Sequence, residues 1–177
     1  MKFLTLFLLF ILPHSLFADD AAWFAGIDGG VTGAKYTSSD IDSDYEFGPE
    51  YGGKIGLQEK NARIYLGYTA ADNIDGNITS TNNIYLALDG ISDEFHVIAK
   101  STAKFFFGIR LGSNTAEIND KAITAFMGGL QAGFIFLLPA DLEIELAYRH
   151  YVTLRDKETN FNAGTIYGAL NYKFYAF

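Results

Sequence analysis

Residues 142–152, LEIELAYRHYV, alternate between apolar and polar side chains along nearly their whole length. One face carries large apolar residues and the other carries charged or small ones: Leu142, Ile144, Leu146 and Tyr148 against Glu143, Glu145, Ala147 and Arg149. A period of two predicts a β-strand whose two faces meet different surroundings. The stretch is also as long as a tilted strand that crosses a bilayer, about 9–11 residues.

Seven further segments show the same alternation, and polar, turn-forming residues separate them. They cover 23–35, 51–59, 62–71, 82–90, 103–112, 122–137 and 163–175. Bacterial single-chain outer-membrane barrels have an even number of antiparallel strands. The pattern therefore predicts an all-β fold, an eight-stranded antiparallel up-and-down transmembrane β-barrel with a polar, plugged interior.

The connections between these segments differ in length. The polar and mostly longer ones are 36–50, 72–81, 113–121 and 154–162, whereas Lys60-Asn61 and Pro139-Ala140 form tight turns. Long outer loops and short periplasmic turns are the expected asymmetry, which places both chain ends in the periplasm. Residues 91–102 (ISDEFHVIAKST) are too long for a tight turn. Phe95, Val97 and Ala99 could form another short strand. We predict an irregular extension instead, because a ninth strand would put the two ends on opposite sides.

The first eighteen residues have the layout of a secretory signal peptide. A positive Met1-Lys2 start precedes an apolar run over residues 3–12, and Ala18 ends the segment. A run of about ten apolar residues is too short for a membrane-spanning helix, which needs roughly 20. We expect export and cleavage after Ala18, which leaves 19–177 as one outer-membrane barrel domain. A retained membrane anchor is the alternative for residues 1–18.

The composition excludes several classes of partner and site. The formal net charge is −8, and it becomes −9 without residues 1–18, because Lys2 is their one charged residue. Phosphate backbones are bound by clustered Lys and Arg, so we expect no nucleic-acid partner. The chain has no cysteine, so neither disulfides nor thiolate metal ligands support it. No cofactor is predicted.

The charges along the strands predict which face meets lipid. The polar face carries four acids and five bases: Asp28, Asp89, Glu143 and Glu145 with Lys54, Arg63, Arg110, Arg149 and Lys173. Buried charges persist only when paired, and an eight-stranded barrel is just wide enough for side chains to fill. The nearly neutral set therefore predicts a structural charge network inside the barrel. A soluble, lipocalin-like barrel with its apolar face inward is the alternative.

Three stretches resemble outer-membrane barrels of the opacity type and of the OmpA–OmpX-like group. Residues 169–174 (ALNYKF) resemble the closing strand, 105–112 (FFFGIRLG) an aromatic–glycine strand, and 142–151 the penultimate strand. In the closing strand, the aromatic ending that guides assembly corresponds to Tyr172, Phe174 and the final Phe177. The resemblance implies an eight-stranded barrel inserted by the outer-membrane assembly machinery. It implies no single function, because members include adhesins, serum-resistance factors and proteins without a known role.

An acidic series in the first long connection resembles the opening of a calcium loop. It reads Asp40-x-Asp42-x-Asp44, but Tyr45 and Tyr51 stand where such a loop needs Gly and Glu. A solvated acidic loop is the simpler interpretation, with loose divalent-cation binding near lipopolysaccharide as the alternative. We predict no metal site.

Asn77 lies in the sequence DGNIT, the extended acceptor pattern of a bacterial N-glycosylation system. Acceptor asparagines lie on accessible loops, and this one falls in a predicted outer loop. Asn77 is therefore a candidate glycosylation site, and a chance match is the alternative.

His150 falls on the apolar face near the outer end of its strand. The run Tyr148-Arg149-His150 resembles lipid A deacylase barrels, which carry His and Ser on the outer surface. The required His-x-Ser-Asn is missing, because Tyr151, Val152 and Thr153 follow. A nucleophile needs a base within hydrogen-bond reach, so no catalytic residue is predicted.

These features together predict a non-catalytic protein with a structural or surface-interaction role. Its expected partners are outer-membrane lipid and lipopolysaccharide, the assembly machinery, and host surface molecules that meet the loops. A small-solute channel is the alternative, because charges line the lumen, although side chains that fill eight strands leave no open aqueous path. A lipid A-modifying enzyme is the lesser alternative and rests on His150.

Overall fold

The computed structural model describes residues 21–38, 45–72, 78–98, 101–118, 121–154 and 159–174. Within these residues nine β-strands form one sheet. They are β1 (Ala22–Ser38), β2 (Glu46–Gln58), β3 (Ala62–Asp72), β4 (Ile78–Ile91), β5 (Phe95–Ile98), β6 (Ser101–Ile118), β7 (Lys121–Leu137), β8 (Leu142–Leu154) and β9 (Thr159–Phe174). No helix in the described part of the chain is long and apolar enough to cross a membrane.

The sheet closes on itself as a barrel. Consecutive strands pair antiparallel from β1 to β4 and from β6 to β9, while β9 pairs with β1 and β4 pairs with β6. Eight strands thus form a continuous wall, in which neighbouring strands satisfy the backbone N–H and C=O groups that lipid cannot. The predicted eight-stranded antiparallel barrel is confirmed. Because Trp23 pairs with Phe174, both described ends lie at the end of the barrel that has the short turns.

The connection between β4 and β6 differs from its prediction. Residues 91–102 contain the short strand β5, which pairs with the start of β6 through Phe95↔Ala103 and His96↔Thr102. The prediction of an irregular extension was wrong for Phe95–Ile98, because the part of β6 before Phe106 extends past the end of β4 and pairs with β5. The two barrel ends nevertheless stay on one side, since β4 pairs directly with β6 from Ile91↔Phe106 onward.

The strands are longer at the outer end than the sequence pattern predicted. β1 and β9 pair as far as Ser38↔Thr159, and β6 and β7 pair as far as Ile118↔Lys121. The predicted connections 36–50, 72–81, 113–121 and 154–162 were therefore wrong at their margins, because hairpin partners continue to pair where alternation in the sequence has faded. Several strands exceed the roughly 9–11 residues that a bilayer requires, so the wall extends beyond it.

The two faces of the wall have opposite chemistry. In β8, Glu143, Glu145 and Arg149 are buried in the lumen, whereas Leu146 and Tyr148 are exposed outside. The outer surface is apolar on every side, as the exposed residues Ile27, Val31, Ile55, Leu66, Ile84, Leu88, Ile109, Leu130, Ile144 and Ile166 show. A soluble barrel would bury such side chains. This inside-out distribution excludes the lipocalin-like alternative and identifies a membrane-spanning barrel.

The turn between β7 and β8 has an unusual backbone. Ala140 and Asp141 have φ angles of 62° and 57°, in the left-handed region that non-glycine residues rarely adopt. The turn is held by hydrogen bonds from Leu138 N to Leu142 O and from Lys173 N to Asp141 O, each 2.9 Å long. The neighbouring strand β9 thus helps to hold Asp141 in this conformation.

Candidate functional site

Within the described part of the chain, the lumen contains two networks of ion pairs at different heights. We call the group near the short turns the periplasmic network; it contains Lys54, Gln58, Arg63, Asp89, Gln131, Glu143, Glu145, Asn171 and Lys173. We call the group nearer the long connections the central network; it contains Asp28, Glu50 and Arg149. All nine predicted interior charges lie in the lumen, and all except Arg110 belong to one of these networks.

Glu145 is the centre of the periplasmic network. Its carboxylate accepts hydrogen bonds from Lys54 Nζ at 2.7 Å and from Asn171 Nδ2 at 2.6 Å. Arg63 donates to the same carboxylate through a further, short hydrogen bond. Because Lys54 lies on β2 and Arg63 on β3, neither of which borders β8, these contacts cross the lumen. One side chain therefore connects β8 to three other strands.

Arg63 is bound on several sides. Its Nε donates to Asp89 Oδ2 at 2.6 Å, and the guanidinium lies 4.5 Å from the centre of the Phe106 ring. Gln131 donates to the other oxygen of Asp89 at 2.6 Å. Glu143, closer to the periplasmic opening, pairs with Lys173 at 3.0 Å. The charges of Arg63, Asp89, Glu143 and Lys173 are thus compensated within hydrogen-bond distance.

Arg149 dominates the central network. Its Nη2 donates to Asp28 Oδ1 at 2.7 Å, and its Nε donates to Glu50 Oε1 at 2.8 Å. The guanidinium also lies over the Tyr167 ring, 4.2 Å from its centre. Asp28 is on β1 and Glu50 on β2, so Arg149 reaches from β8 past β9 to two further strands. This contact forms a bridge across the middle of the lumen.

Two interior charges were missed by the sequence prediction. Glu50 was placed in an outer connection, and Lys104 was not assigned to a face, yet both are buried. Their positions carried a signal, because Glu50 is four residues from Lys54 and Lys104 is six from Arg110, and even spacings share one face of a strand. With them, five acids are buried in the described lumen (Asp28, Glu50, Asp89, Glu143, Glu145) against five bases (Lys54, Arg63, Lys104, Arg110, Arg149).

Arg110 is bound differently from the other arginines. It is fully buried, and its guanidinium lies 3.6 Å from the centre of the Tyr85 ring. Among the described residues, none of its three guanidinium nitrogens has a hydrogen-bond partner. A buried charge that lacks hydrogen bonds is costly, and a cation–π contact offsets that cost only in part. Arg110 was predicted as a member of the charge network, but the structure shows it apart from the ion pairs.

The outer part of the lumen contains neutral groups. Asn83 links Thr69, Asn114 and Tyr151 through hydrogen bonds of 3.1, 2.8 and 3.3 Å. Beyond this amide belt the lumen is lined by a cluster of buried apolar side chains, which we call the outer apolar cluster: Ala34, Tyr36, Ala71, Ile78, Ala116, Met127, Phe161 and Ala163. The sequence prediction of a polar interior thus applies to the periplasmic and central parts of the lumen.

The outer face carries aromatic residues near both ends of the span. Trp23, Tyr172 and Phe174 lie at the periplasmic end, and the Tyr172 and Phe174 rings stack at 6.4 Å. Tyr51, Tyr68 and Tyr148 lie toward the outer end and are about half exposed. Two such girdles are typical of membrane boundaries. His150 lies beside Tyr148, with 3.4 Å between His150 Nδ1 and Tyr148 Oη.

Several predicted features fall outside the described residues. They are the signal peptide 1–18, the acidic series Asp40 to Asp44, the candidate glycosylation site Asn77 and the terminal Phe177. Within the described ranges, no group of three or more His, Cys, Asp or Glu side chains is arranged to hold a metal ion.

Solved structures were compared with this barrel. The crystal structure of Neisserial surface protein A superposes with a TM-score of 0.62 at 15% identity, covering 88% of this chain and 100% of that one. The solution structure of outer membrane protein H from P. aeruginosa superposes with a TM-score of 0.51 at 23% identity, covering 84% and 99%. The fold is that of the small outer-membrane β-barrels.

This outer-membrane barrel has the fold that the opacity-type and OmpA–OmpX-like resemblance implied. No family model matches the chain, and no curated protein matches it. At these identities the likeness is one of fold. Together with the apolar outer wall, the fold places the protein in a bacterial outer membrane.

Proposed function

We propose that this outer-membrane barrel has a non-catalytic, structural and surface-interaction role, in which a closed lumen supports a projecting outer end. The observation that carries the proposal is the filling of the lumen by side chains that span it. Arg149 joins β8 to β1 and β2, and Glu145 joins β8 to β2 and β3. Such bridges hold opposite walls of the barrel together and occupy the path that a solute would take.

The outer apolar cluster supports the same conclusion. Ile78, Met127 and Phe161 are almost completely buried at the outer end of the lumen. A path for hydrated ions would need polar groups along its whole length, because ions are not stripped of water without compensation. We therefore favour a plugged barrel over the channel alternative.

The outer end carries the chemistry that an external partner would meet. The four segments 35–46, 72–80, 117–121 and 154–158 contain ten acidic and four basic residues. β1 and β9, and separately β6 and β7, continue as paired ribbons toward this end. An acidic surface on a rigid support suits a basic partner, or an anionic one such as lipopolysaccharide bridged by divalent cations.

The first test measures folding and conductance together. We expect the purified chain to migrate differently on a gel before and after boiling, as a folded barrel does, and to insert into planar bilayers without stepwise current. Stepwise conductance from verified, folded protein would contradict the plugged barrel and favour the channel. A protein that shows no mobility shift and stays in the soluble fraction would contradict the barrel itself.

The second test concerns the acidic outer end. The triple variant Asp40→Asn, Asp42→Asn, Asp44→Asn leaves Glu46 intact, which matters because Glu46 accepts a hydrogen bond from Ile78 N. We expect unchanged mobility on the gel and weaker binding of cells to immobilised polylysine. A matched control is Asp93→Asn, which removes an acid at the periplasmic end. Loss of assembly in the triple variant would mean that the connection is structural.

A further inference from the structure

A groove in the outer wall crosses four neighbouring strands. It has a volume of about 350 Å³ and is lined by Val31, Gly33, Tyr45, Phe47, Tyr148, His150, Gly164 and Ile166. The register explains its shape, because Phe47, Gly33, Gly164 and His150 are successive Cα partners on β2, β1, β9 and β8. Two glycines therefore form the floor of the groove, and larger side chains stand on either side of it.

The walls of the groove lean over its floor. A Cβ atom on Gly33 would lie 2.7 Å from the Phe47 ring, and one on Gly164 would lie 2.4 Å from Tyr148 Oη. Aromatic side chains often cover glycines on sheets, but here the rings leave an open volume between them. That volume is at the lower end of the range for small-molecule sites, roughly 300–1,000 Å³.

The surroundings of the groove determine what can fill it. The groove is continuous with the apolar outer surface that faces lipid, since Val31 and Ile166 line the groove and are both exposed on that surface. It also lies at the outer end of the membrane span, at the height of the Tyr148 girdle residue. Hydrogen-bonding groups occur at its rim, where Tyr148 Oη and His150 Nδ1 are 3.4 Å apart.

We propose that this groove binds one acyl chain of lipid A, the glycolipid of the outer leaflet, with the sugar-proximal polar groups of that lipid at Tyr148 and His150. The inference rests on the orientation used under the proposed function, in which the long connections face outward. An apolar floor accepts methylene groups, and the aromatic rim offers rings and hydrogen bonds to the sugar. Among the described residues that line the groove there is no serine, cysteine or carboxylate, so the site binds the lipid without a nucleophile to cleave it.

The barrel offers a matched pair of variants. In Gly33→Val/Gly164→Val, the added side chains fill the floor, and each added Cβ meets the movable end of a side chain rather than the backbone. The control is Gly29→Val/Gly168→Val, another cross-strand glycine pair on the same two strands and the same outer face. There the nearest atoms to an added Cβ are 3.9 and 3.7 Å away, so the substitution fits.

Native mass spectrometry of the folded full chain with lipid A, and separately with phosphatidylglycerol, tests the proposal. We expect one retained lipid A on the wild type and on the control variant, and at least tenfold weaker retention on the groove variant. Equal retention by both double variants, or equal retention of phosphatidylglycerol and lipid A by the wild type, would overturn the site. The gel shift separates this outcome from failure of the barrel assignment, because a shift that persists while lipid A retention fails refutes the groove alone.

A second measurement does not depend on the groove variant folding. Trp23 is the single tryptophan, so Trp23→Phe/Phe47→Trp places one reporter at the groove wall. Trp23→Phe/Tyr68→Trp places a comparable reporter in the outer girdle, on the exposed wall of β3. Lipid A with brominated acyl chains should quench the groove reporter at a several-fold lower mole fraction. Equal quenching of both reporters would show only general contact with the surrounding lipid and would contradict the proposal.

Discussion

The periplasmic and outer halves of the lumen are filled in opposite ways. In the periplasmic half, Glu145 holds Lys54 and Arg63 in ion pairs that cross the lumen, and Asp89 pairs with Arg63 from the neighbouring strand. In the outer half, an amide belt around Asn83 is followed by the outer apolar cluster. Both arrangements fill the lumen of the eight-stranded barrel. The first depends on charge compensation and the second on packing.

Two arginines illustrate the consequence of this difference. Arg149 and Arg110 are both buried and both lie over tyrosine rings. Arg149 has two carboxylates in hydrogen-bond contact, whereas Arg110 has no hydrogen-bond partner among the described residues. Burial alone therefore does not show whether a charge stabilises the barrel. Whether it does so depends on its partners across the lumen.

The largest expected effect is the loss of Glu145. Glu145→Leu leaves Lys54 and Arg63 buried without this carboxylate, and breaking a buried pair costs about 3–5 kcal/mol. Urea unfolding in phospholipid vesicles, followed by gel mobility and by Trp23 fluorescence, measures the free energy. Glu145→Gln keeps the size of the side chain and serves as the control. A loss under about 1 kcal/mol for Glu145→Leu would show that the periplasmic network contributes little.

The same substitution at the two arginines sharpens the comparison. Arg149→Met leaves Asp28 and Glu50 buried without their cationic partner, so we expect a loss of about 3 kcal/mol in the free energy of unfolding. Arg110→Met removes unpartnered donors from a buried site, and the expected change is within about 1 kcal/mol of zero or stabilising. The same unfolding assay compares them. If Arg110→Met were the more damaging variant, Arg110 would have a structural role that its contacts do not explain.

The outer apolar cluster should respond to volume rather than to charge. Met127→Ala removes packing atoms from a fully buried position, and the expected loss is about 2 kcal/mol. Met127→Leu conserves volume and should cost less than about 1.5 kcal/mol. Unfolding curves of the two variants provide the measurement. Equal losses for both would contradict a tightly packed cluster.

A substitution in the β7–β8 turn should raise the stability of the barrel rather than lower it. Ala140 has φ = 62°, which glycine adopts without the steric cost that Cβ brings, so Ala140→Gly should stabilise the barrel by about 0.5–1 kcal/mol. The control is Ala62→Gly, in a strand at the same end, which should destabilise by a similar amount. The urea midpoint of unfolding measures both changes. A lower midpoint for Ala140→Gly than for the wild type would contradict the prediction.

The smallest effect concerns a pair on the periplasmic rim. Lys60 Nζ lies 3.2 Å from Asp93 Oδ1, and both side chains are exposed. The hydrogen bond and the charge of Lys60, with a hydrogen bond from Asn61, lower the pKa of Asp93 below its usual 3.8. A lowered pKa in the folded state contributes stability above the unfolded value, and the contribution disappears as the pH falls through the folded pKa.

Nuclear magnetic resonance titration of the Asp93 carboxyl checks this small effect. In Lys60→Met the pKa of Asp93 should rise toward 3.8, while stability at neutral pH should hardly change, because exposed pairs are screened by solvent. The expected acid-dependent loss in the wild type is confined to the range below the unfolded pKa. An unchanged pKa in the variant would show that Lys60 is not the cause.

Much of this protein could be predicted from local pattern. The alternation in 142–152 and in seven other segments predicted the eight barrel strands and their two faces, because a strand has a period of two residues wherever it lies. The balance of charges on the polar face predicted which side meets lipid. Glu50 and Lys104 were predictable in the same way from their even spacing to Lys54 and Arg110.

Alternation at Phe95, Val97 and Ala99 allowed a short strand, but it could not decide that β5 forms or how far the outer ribbons continue. Both form because a neighbouring strand offers unpaired backbone groups. The side-chain pattern of a segment does not indicate whether its neighbour has such groups free. In the same way the left-handed Ala140 is held by the hydrogen bonds of its turn, of which one comes from Lys173 on β9.

Alternation and charge along the sequence were enough to predict which residues face the lumen and which face lipid. The packed barrel shows that Arg149 has two carboxylate partners, that Arg110 has none among the described residues, and that two glycines meet in the floor of the groove. The physical reason is that contacts across a barrel depend on the relative stagger of strands that are far apart in the chain. The closure of all eight strands together sets this stagger, so it cannot be predicted from the sequence of any single strand.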